Sequence, residues 1–189
     1  TRAREITGVK MVDCELIDQG RKLIVYYSSE SRDFDYRGMG KEIAQKYGAK
    51  ISDFKWTNDF SAARNFAIAQ ATKPWILNFD PDERLAEGDL ERVVALTKSE
   101  NVDAYSFKIR NYAPDAGQTF FYPCRGEYPQ FEQNQVGFFE TQRIKLFRSD
   151  RGIHFVGAVH ELVESTVKGR TLATTIPIRR RLLSPCSGT

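Results

Sequence analysis

The chain is poor in the residues that build disulfide frameworks and thiolate or imidazole metal clusters. Its 189 residues include only three cysteines and two histidines. The three cysteines, Cys14, Cys124 and Cys186, lie far apart, and no two form a close-spaced pair. This argues against a disulfide scaffold or a zinc site and favours a reducing compartment. The sequence therefore predicts a cytoplasmic location and no metal centre that depends on cysteine or on several histidines.

Long apolar runs and a strong excess of one charge are also absent. No stretch approaches the roughly 18 apolar residues that a membrane-spanning helix needs, and the first residues lack the apolar block of a signal peptide. The sequence therefore predicts no membrane span. Lys and Arg number 28 against 25 Asp and Glu, a net charge of +3. This small excess argues against a nucleic-acid partner but is compatible with a small anionic ligand.

Strand and helix signals alternate along the chain. Apolar residues make up 41% of the sequence and charged residues 28%, which is typical of a globular protein. Alternation with short links favours an α/β fold whose first half is mostly parallel. In the helix after Asp89, the spacing predicts that Leu90, Val93 and Val94 face inward. The predicted strands are 23–27, 49–51, 75–79, 105–109, 143–148 and 155–163, and the other predicted helices are 41–47 and 62–71.

Residues 111–137 break this alternation with proline, glycine, aromatic and polar residues. A stretch of this length is too long for a simple connector in a compact domain. It predicts a lid or a binding loop.

The sharpest local feature is the acidic run Asp80-Pro81-Asp82-Glu83 at the end of an apolar strand. In open α/β sheets, ligands lie beyond the carboxyl ends of the strands. Three carboxylates within four residues repel one another unless solvent or a cation neutralises them, and their oxygens suit Mg²⁺ or Mn²⁺. The alternative is an acidic turn that caps the following helix.

A second feature is the segment Trp56–Asn65, which leads into a helix capped by Asp59 or Ser61. Arg64 and Asn65 lie in the first turn, and the N-terminus of a helix favours anions. A guanidinium group at this position can bind a diphosphate through two parallel hydrogen bonds. The alternative is a solvated Arg64 on the surface and an Asn65 whose amide is satisfied within the fold.

Four ordered blocks together resemble the family 2 glycosyltransferases of the glycosyltransferase-A fold. The resemblance covers about residues 41–178 and favours the SunS-like and lipopolysaccharide-core glucosyltransferase-like subgroup, whose strand ends in Asp-x-Asp-Glu. It implies an α/β fold with a mixed sheet flanked by helices. The blocks are Trp56 with 59–65, 75–77 with 80–83, Arg143–Arg148 and Gly157–Glu161.

This resemblance implies an enzyme that transfers a hexose from a nucleotide-diphosphate sugar, in particular a UDP-hexose, to a glycan, lipid or peptide acceptor. It also implies a divalent cation, Mg²⁺ or Mn²⁺, which acts as a Lewis acid for the leaving diphosphate. The alternative for the pair His160 and Glu161 is a pair that alternates in and out on a strand. By the resemblance, the metal ligands are Asp80, Asp82 and His160, the donor-binding residues are Arg64, Asn65 and Asp80, and the catalytic residues are Glu161, as general base, and His160.

The N-terminal part departs from this family. The family's second strand ends in Asp-x-Gly-Ser-x-Asp, whereas residues 28–33 contain no glycine, and only Asp33 or Asp35 offers the missing carboxylate. Residues 9–51 instead resemble the polymerase-suppressor C-terminal domain family. We therefore expect an incomplete or diverged N-terminal half.

The expected organisation is a single glycosyltransferase-like domain over residues 1–189. It consists of a diverged or fused segment 1–51, a transferase core 52–178 and a tail 179–189. The tail opens with three arginines, Arg179 to Arg181. It is interpreted either as a phosphate-attracting end or as a frayed, solvated terminus.

Two other functions stay open at this point. A catalytically inactive binding module of the same fold is favoured by residues 28–40, which offer a nucleotide few partners. A nucleic-acid-associated regulator is favoured by the N-terminal resemblance and the three arginines. The net charge of +3 counts against the regulator, because binding to a phosphate backbone needs concentrated positive charge.

Overall fold

The computed structural model describes residues 10–17, 22–28, 52, 54–80, 83–86, 88–115 and 120–181; for 10–17, 22–28 and 181 it describes the backbone alone. The predicted helix 41–47, the predicted strand 49–51 and Asp82 lie outside these residues. The helices are α1 (Phe60–Ala69), α2 (Asp89–Leu96) and α3 (Pro129–Glu132), with single 3-10 turns at Ser149–Arg151 and Glu164–Thr166. The strands are β1 (Lys10–Ile17), β2 (Lys22–Ser28), β3 (Trp75–Phe79), β4 (Glu83–Arg84), β5 (Ala104–Ala113), β6 (Tyr122–Pro123), β7 (Gly137–Arg148) and β8 (Thr171–Arg181).

Helices and strands together confirm the α/β class, and the chain divides into two compact units. The first unit consists of Thr1–Pro81, Asn101–Ala104 and Lys145–Thr171, and the second of Asp82–Glu100, Tyr105–Ile144 and Leu172–Thr189. Within the described ranges, no helix has the length and apolar character needed to cross a bilayer.

The strands of the first unit follow the order β2-β1-β3-β7. The β1–β2, β1–β3 and β3–β7 pairs are all antiparallel, so the predicted parallel arrangement is wrong. For β1 and β2 the physical reason is the short link 18–21, because a parallel crossover needs about a dozen residues. The core of this unit includes Ile76, Leu77 and Phe147, which are at most 5% exposed.

Helix α1 begins at Phe60 because the carboxylate of Asp59 accepts a hydrogen bond of 3.0 Å from the backbone N–H of Ala62. This contact selects Asp59 over Ser61 as the cap. Ala67 lies fully buried on the inner face of the helix. The predicted helix 62–71 is therefore confirmed with its ends shifted by two residues toward the N-terminus. Arg64 and Asn65 consequently lie in its second turn, so their predicted place in the first turn is wrong.

The predicted strand 155–163 is wrong. Val156 and Leu162 form an isolated antiparallel bridge, and the residues between them form a turn. Gly157 has a φ of 101° and His160 a φ of 61°, which are left-handed backbone conformations. An extended strand cannot contain such residues, so the chain reverses direction here.

The strands of the second unit follow the order β7-β5-β8-β4, and β6 also pairs with β7. Its core includes Phe107, Tyr112 and Ile178, all fully buried. The predicted helix after Asp89 is confirmed, and Val93 faces inward with 3% exposure, but Leu90 is 37% exposed. The described residues of the stretch 111–137 include the end of β5, strand β6 and helix α3, which the sequence did not predict.

The arginines at 179–181 belong to strand β8, so the strand continues beyond the expected boundary at residue 178. Arg179 pairs in register with Arg84, and Arg180 pairs with Glu83. The side chain of Arg179 is completely buried. A frayed terminus is therefore wrong for these three residues, and a solvated one is wrong for Arg179.

A charged cluster on β5 and β7 predicts a pH dependence of stability. Glu140 accepts hydrogen bonds from Lys108 at 2.8 Å and from Arg110 at 3.2 Å. Partial burial alone would raise the pKa of Glu140, but these two cations outweigh it and hold the pKa below its ordinary value of 4.5. A carboxyl group with a lowered pKa stabilises the fold above its ordinary pKa, and this stabilisation is lost as the pH falls through the lower value.

We therefore expect Glu140→Gln to lose less stability than the wild type between pH 5 and roughly pH 3. In this window the carboxylate of Glu140 becomes protonated in the wild type, whereas glutamine does not titrate. The measurement is the urea midpoint of unfolding at each pH. Glu91→Gln, an exposed acid on α2, is the matched control. An equal fall of the urea midpoint with pH in the wild type and in both variants would contradict the prediction.

Candidate functional site

Arg64 lies at the centre of a polar cluster in the first unit. Its Nε donates to Glu161 Oε1 at 2.7 Å, its Nη1 to Asn78 Oδ1 at 3.0 Å, and its Nη2 to Asp80 Oδ1 at 3.0 Å. Helix α1 supplies the arginine, and β3 with the residue after it supplies Asn78 and Asp80. The structure thus brings together three of the residues predicted from sequence, namely Arg64, Asp80 and Glu161.

Lys145 adds a second cation to this cluster. It lies on β7, its side chain is 5% exposed, and its Nζ is 3.5 Å from Asp80 Oδ2. Sequence reasoning did not select Lys145 or Asn78. The available signal was a polar side chain inside an apolar strand, since a buried lysine or asparagine needs a polar partner.

The cluster balances two cations, Arg64 and Lys145, against two carboxylates, Asp80 and Glu161. Their side chains are between 5% and 17% exposed, so water screens the charges only in part. Removing one member of such a network leaves its partners partly buried without their counter-charge. The four groups are therefore expected to act together and not as independent ion pairs.

Asn65 supports this cluster through the backbone. Its Nδ2 donates to Phe155 O at 2.9 Å, and its Oδ1 accepts from Phe155 N at 2.8 Å. The ring of Phe155 packs against the guanidinium group of Arg64, whose Cζ is 5.0 Å from the ring centroid. These contacts agree with the alternative of an Asn65 satisfied within the fold, and they give it a positioning role.

His160 and Glu161 lie in the turn between Val156 and Leu162. Helix α1 holds this turn through Ser61 Oγ, which donates to Gly157 O at 2.6 Å, and through Phe60 N, which donates to Ala158 O at 3.1 Å. His160 is exposed, whereas the carboxylate of Glu161 reaches Arg64. The alternative of a pair alternating on a strand is therefore wrong.

The first turn of α1 is already occupied by groups of the protein. Ala158 O accepts from Phe60 N, and the Asp59 side chain accepts from Ala62 N. Those two N–H groups are used within the fold and are not presented to an anion. Within the cluster, the cations are the side chains of Arg64 and Lys145, and both are paired with carboxylates.

The donor set of the predicted metal site was tested against this geometry. Carboxylate oxygens are the ligands that Mg²⁺ and Mn²⁺ prefer, and Asp80 supplies two of them. Each oxygen of Asp80 lies beside a cation, Arg64 or Lys145. Among the residues that the structure describes, no three His, Cys, Asp or Glu side chains form a metal-binding group. The described residues therefore do not by themselves form a site for a divalent cation, and Asp82 lies outside them.

Comparison with known proteins gives a family match. The family model described as glycosyl transferase family 2 matches residues 24–154, more than half of the chain. The match begins within β2, so part of the segment expected to have diverged lies inside the matched region. The subgroup and the polymerase-suppressor resemblance stay predictions.

One curated relative is a TPR repeat-containing protein of Synechococcus elongatus, which is 32% identical over 151 residues. These residues are 79% of this chain and 30% of the relative. The chain therefore spans less than a third of the length of this relative.

Proposed function

Because the chain belongs to glycosyl transferase family 2, we propose that it transfers a hexose from a nucleotide-diphosphate sugar, in particular a UDP-hexose, to an acceptor. The observation that supports this function best is the cluster around Arg64. It gathers two cations and two carboxylates around Asp80, the residue that follows the buried strand β3 of the first unit. The acceptor is a glycan, a lipid or a peptide.

In this proposal the charges of the cluster serve the departure of the diphosphate. As the bond between the anomeric carbon and the diphosphate breaks, the bonding electron pair and its negative charge go to the diphosphate. Arg64 and Lys145 supply fixed positive charge near that group, and preorganised charge of this kind lowers the barrier. Arg64, Asn65 and Asp80 are the proposed donor-binding residues, with Asn65 acting through Phe155.

Glu161 is the proposed general base. It takes the proton of the acceptor hydroxyl while the hydroxyl oxygen forms the new bond to the anomeric carbon, with inversion. Arg64 orients the carboxylate by its hydrogen bond of 2.7 Å to Oε1. His160, the next residue in the turn, is proposed to contact a phosphate oxygen or the metal.

Asp80, Asp82 and His160 are the proposed ligands of Mg²⁺ or Mn²⁺. When bound, this ion supplies Lewis-acid stabilisation of the diphosphate. The side chain of Arg64 holds Asp80 Oδ1 in place, and Lys145 lies beside the other oxygen.

Calorimetric titration of UDP with and without Mn²⁺ tests this proposal. We expect Mn²⁺ to tighten UDP binding by about tenfold or more, which corresponds to about 1.4 kcal/mol of binding free energy. Asp82→Ala should abolish that increment, whereas Asp150→Ala, an exposed acid in a 3-10 turn, should retain it. Equal UDP affinity with and without Mn²⁺ would remove the metal from the proposal.

The second candidate is a catalytically inactive binding module of the same fold. It is favoured by the closed ion network, since three donors of Arg64 are already bonded to Glu161, Asn78 and Asp80. The same titration separates the two functions. Absence of UDP binding under both conditions would favour the inactive module.

A further inference from the structure

Arg179 in the second unit has a buried guanidinium group that the fold satisfies on one side only. Its Nη1 donates to Asp89 Oδ2 at 3.1 Å and to Pro177 O at 3.2 Å. Its Nε and Nη2 are also buried, and no acceptor for them exists in the part of the chain that the structure describes. A buried charged donor without an acceptor is costly, so this edge is expected to have an occupant.

The unpaired edge has a specific shape. Nε–H and one N–H of Nη2 point the same way from the planar guanidinium group, and their spacing matches two oxygens of a carboxylate or phosphate. The bonds of Nη1 to Asp89 and Pro177 fix the opposite side of the group. The edge is therefore held in one orientation before any ligand arrives.

Aromatic rings enclose the guanidinium group. Its Cζ is 3.7 Å from the ring centroid of Tyr128 and 5.5 Å from that of Phe131. Tyr112 stacks on Phe131 with 6.4 Å between the centroids. Its hydroxyl is buried near Arg110, which can only donate, so the O–H of Tyr112 has no acceptor among the described residues. Burial raises the pKa of Tyr112 against the opposing effect of Arg110, so the hydroxyl keeps its proton and can donate it.

The charge balance around this edge favours an anion. Asp89 is shared, because its Oδ1 also pairs with Arg92 at 2.8 Å. Two guanidinium groups thus share one carboxylate, which leaves positive charge at the buried arginine. Glu83 pairs in register with Arg180, so its side chain lies on the opposite face of the strands from that of Arg179. The negative charge of Glu83 therefore does not lie on the face of Arg179.

We propose that the Nε/Nη2 edge of Arg179, together with the hydroxyl of Tyr112, binds an oxyanion: the carboxylate or phosphate group of a ligand. This site lies within the second unit and does not depend on the proposed glycosyl transfer. Tyr128 is only half-buried, whereas Phe131 is buried, so Tyr128 lies on the more open side of the guanidinium group. The competing occupant is a buried water, which also satisfies polar groups in protein interiors.

The first test observes the Nε–H resonances of arginine by nitrogen-15 NMR in the wild-type chain. Inorganic phosphate and acetate are titrated separately at constant ionic strength, with chloride as the reference anion. We expect a saturable shift of the Arg179 Nε–H resonance with at least one of them. A shift with only one of the two anions identifies whether the site binds phosphates or carboxylates. A shift with both shows that it binds either kind of oxyanion. No saturable shift, or the same shift with chloride, would overturn the proposal in favour of water.

The second test uses variants that keep the charge or the ring. Arg179→Lys keeps the positive charge but loses the two parallel donors, and Tyr112→Phe removes only the hydroxyl. We expect the first to weaken binding of the active anion at least tenfold and the second several-fold. Arg92→Lys, an exposed partner of the same Asp89, is the matched control and should bind like the wild type. Unchanged affinity in both site variants would overturn the proposal. If Arg179→Lys does not fold, the titration of the wild-type chain alone decides the outcome.

Discussion

Replacing Glu161 with glutamine is expected to slow the release of UDP from a UDP-hexose by about 100-fold or more, because a general base contributes roughly that factor. Glutamine keeps a side-chain oxygen that can accept the hydrogen bond from Arg64 Nε, now 2.7 Å long. It cannot take a proton from an acceptor hydroxyl. The measurement is UDP release per unit time at saturating UDP-glucose, and UDP affinity from calorimetry is expected to change little.

The matched control for this prediction is Glu164→Gln. Glu164 lies in the 3-10 turn that follows, is exposed and carries the same charge. We expect its UDP release to equal that of the wild type. Equal rates in Glu161→Gln and Glu164→Gln would contradict the role of Glu161 as the base. A loss of UDP affinity in Glu161→Gln without a loss of rate would point to a donor-binding role.

Replacing Arg64 with methionine is expected to lower the free energy of unfolding by about 3 kcal/mol, the usual cost of breaking a buried ion pair from one side. The change removes the hydrogen-bond donor of Glu161, Asn78 and Asp80 at once. The side chains of Asp80 and Glu161 are 17% and 14% exposed, so water compensates them only in part. The urea midpoint of unfolding measures the loss, and UDP affinity is expected to fall with it.

Two further variants separate charge from geometry at this position. Arg64→Lys keeps the charge but cannot bond three acceptors in one plane, so we expect a loss between those of the wild type and Arg64→Met. Arg143→Met makes the same chemical change at an exposed position on β7 and should leave stability near that of the wild type. Wild-type stability in Arg64→Met would show that the cluster contributes nothing to the fold.

Local sequence signals predicted several elements well. Strand β3 follows Pro74 and is apolar except for Asn78, and α1 begins after a capping aspartate. Both signals act over a few residues, because a cap bonds the first turn of its own helix and a proline restricts its neighbour. These elements could therefore be predicted without knowing what they pack against.

Other predictions failed where distant residues decide the conformation. The segment 155–163 has the alternation of a strand, but α1 holds it as a turn through Ser61 and Phe60. The arginines after residue 178 look like a solvated tail, yet β8 buries Arg179 against Asp89. In both cases the deciding partner lies about 90 residues away in the chain. No local pattern contains that information.

By itself, the amino-acid order determined the α/β class, strand β3 and a cap of α1 at Asp59 or Ser61, because backbone propensity and side-chain chemistry are properties of short segments. Only the tertiary structure decided that Arg64 joins Glu161, Asn78 and Asp80, and that Lys145 lies beside Asp80. Arg64 and Glu161 are 97 positions apart, and their contact follows from how the sheet and α1 pack. Charges that balance in a partly dry site depend on such packing, which no single segment specifies.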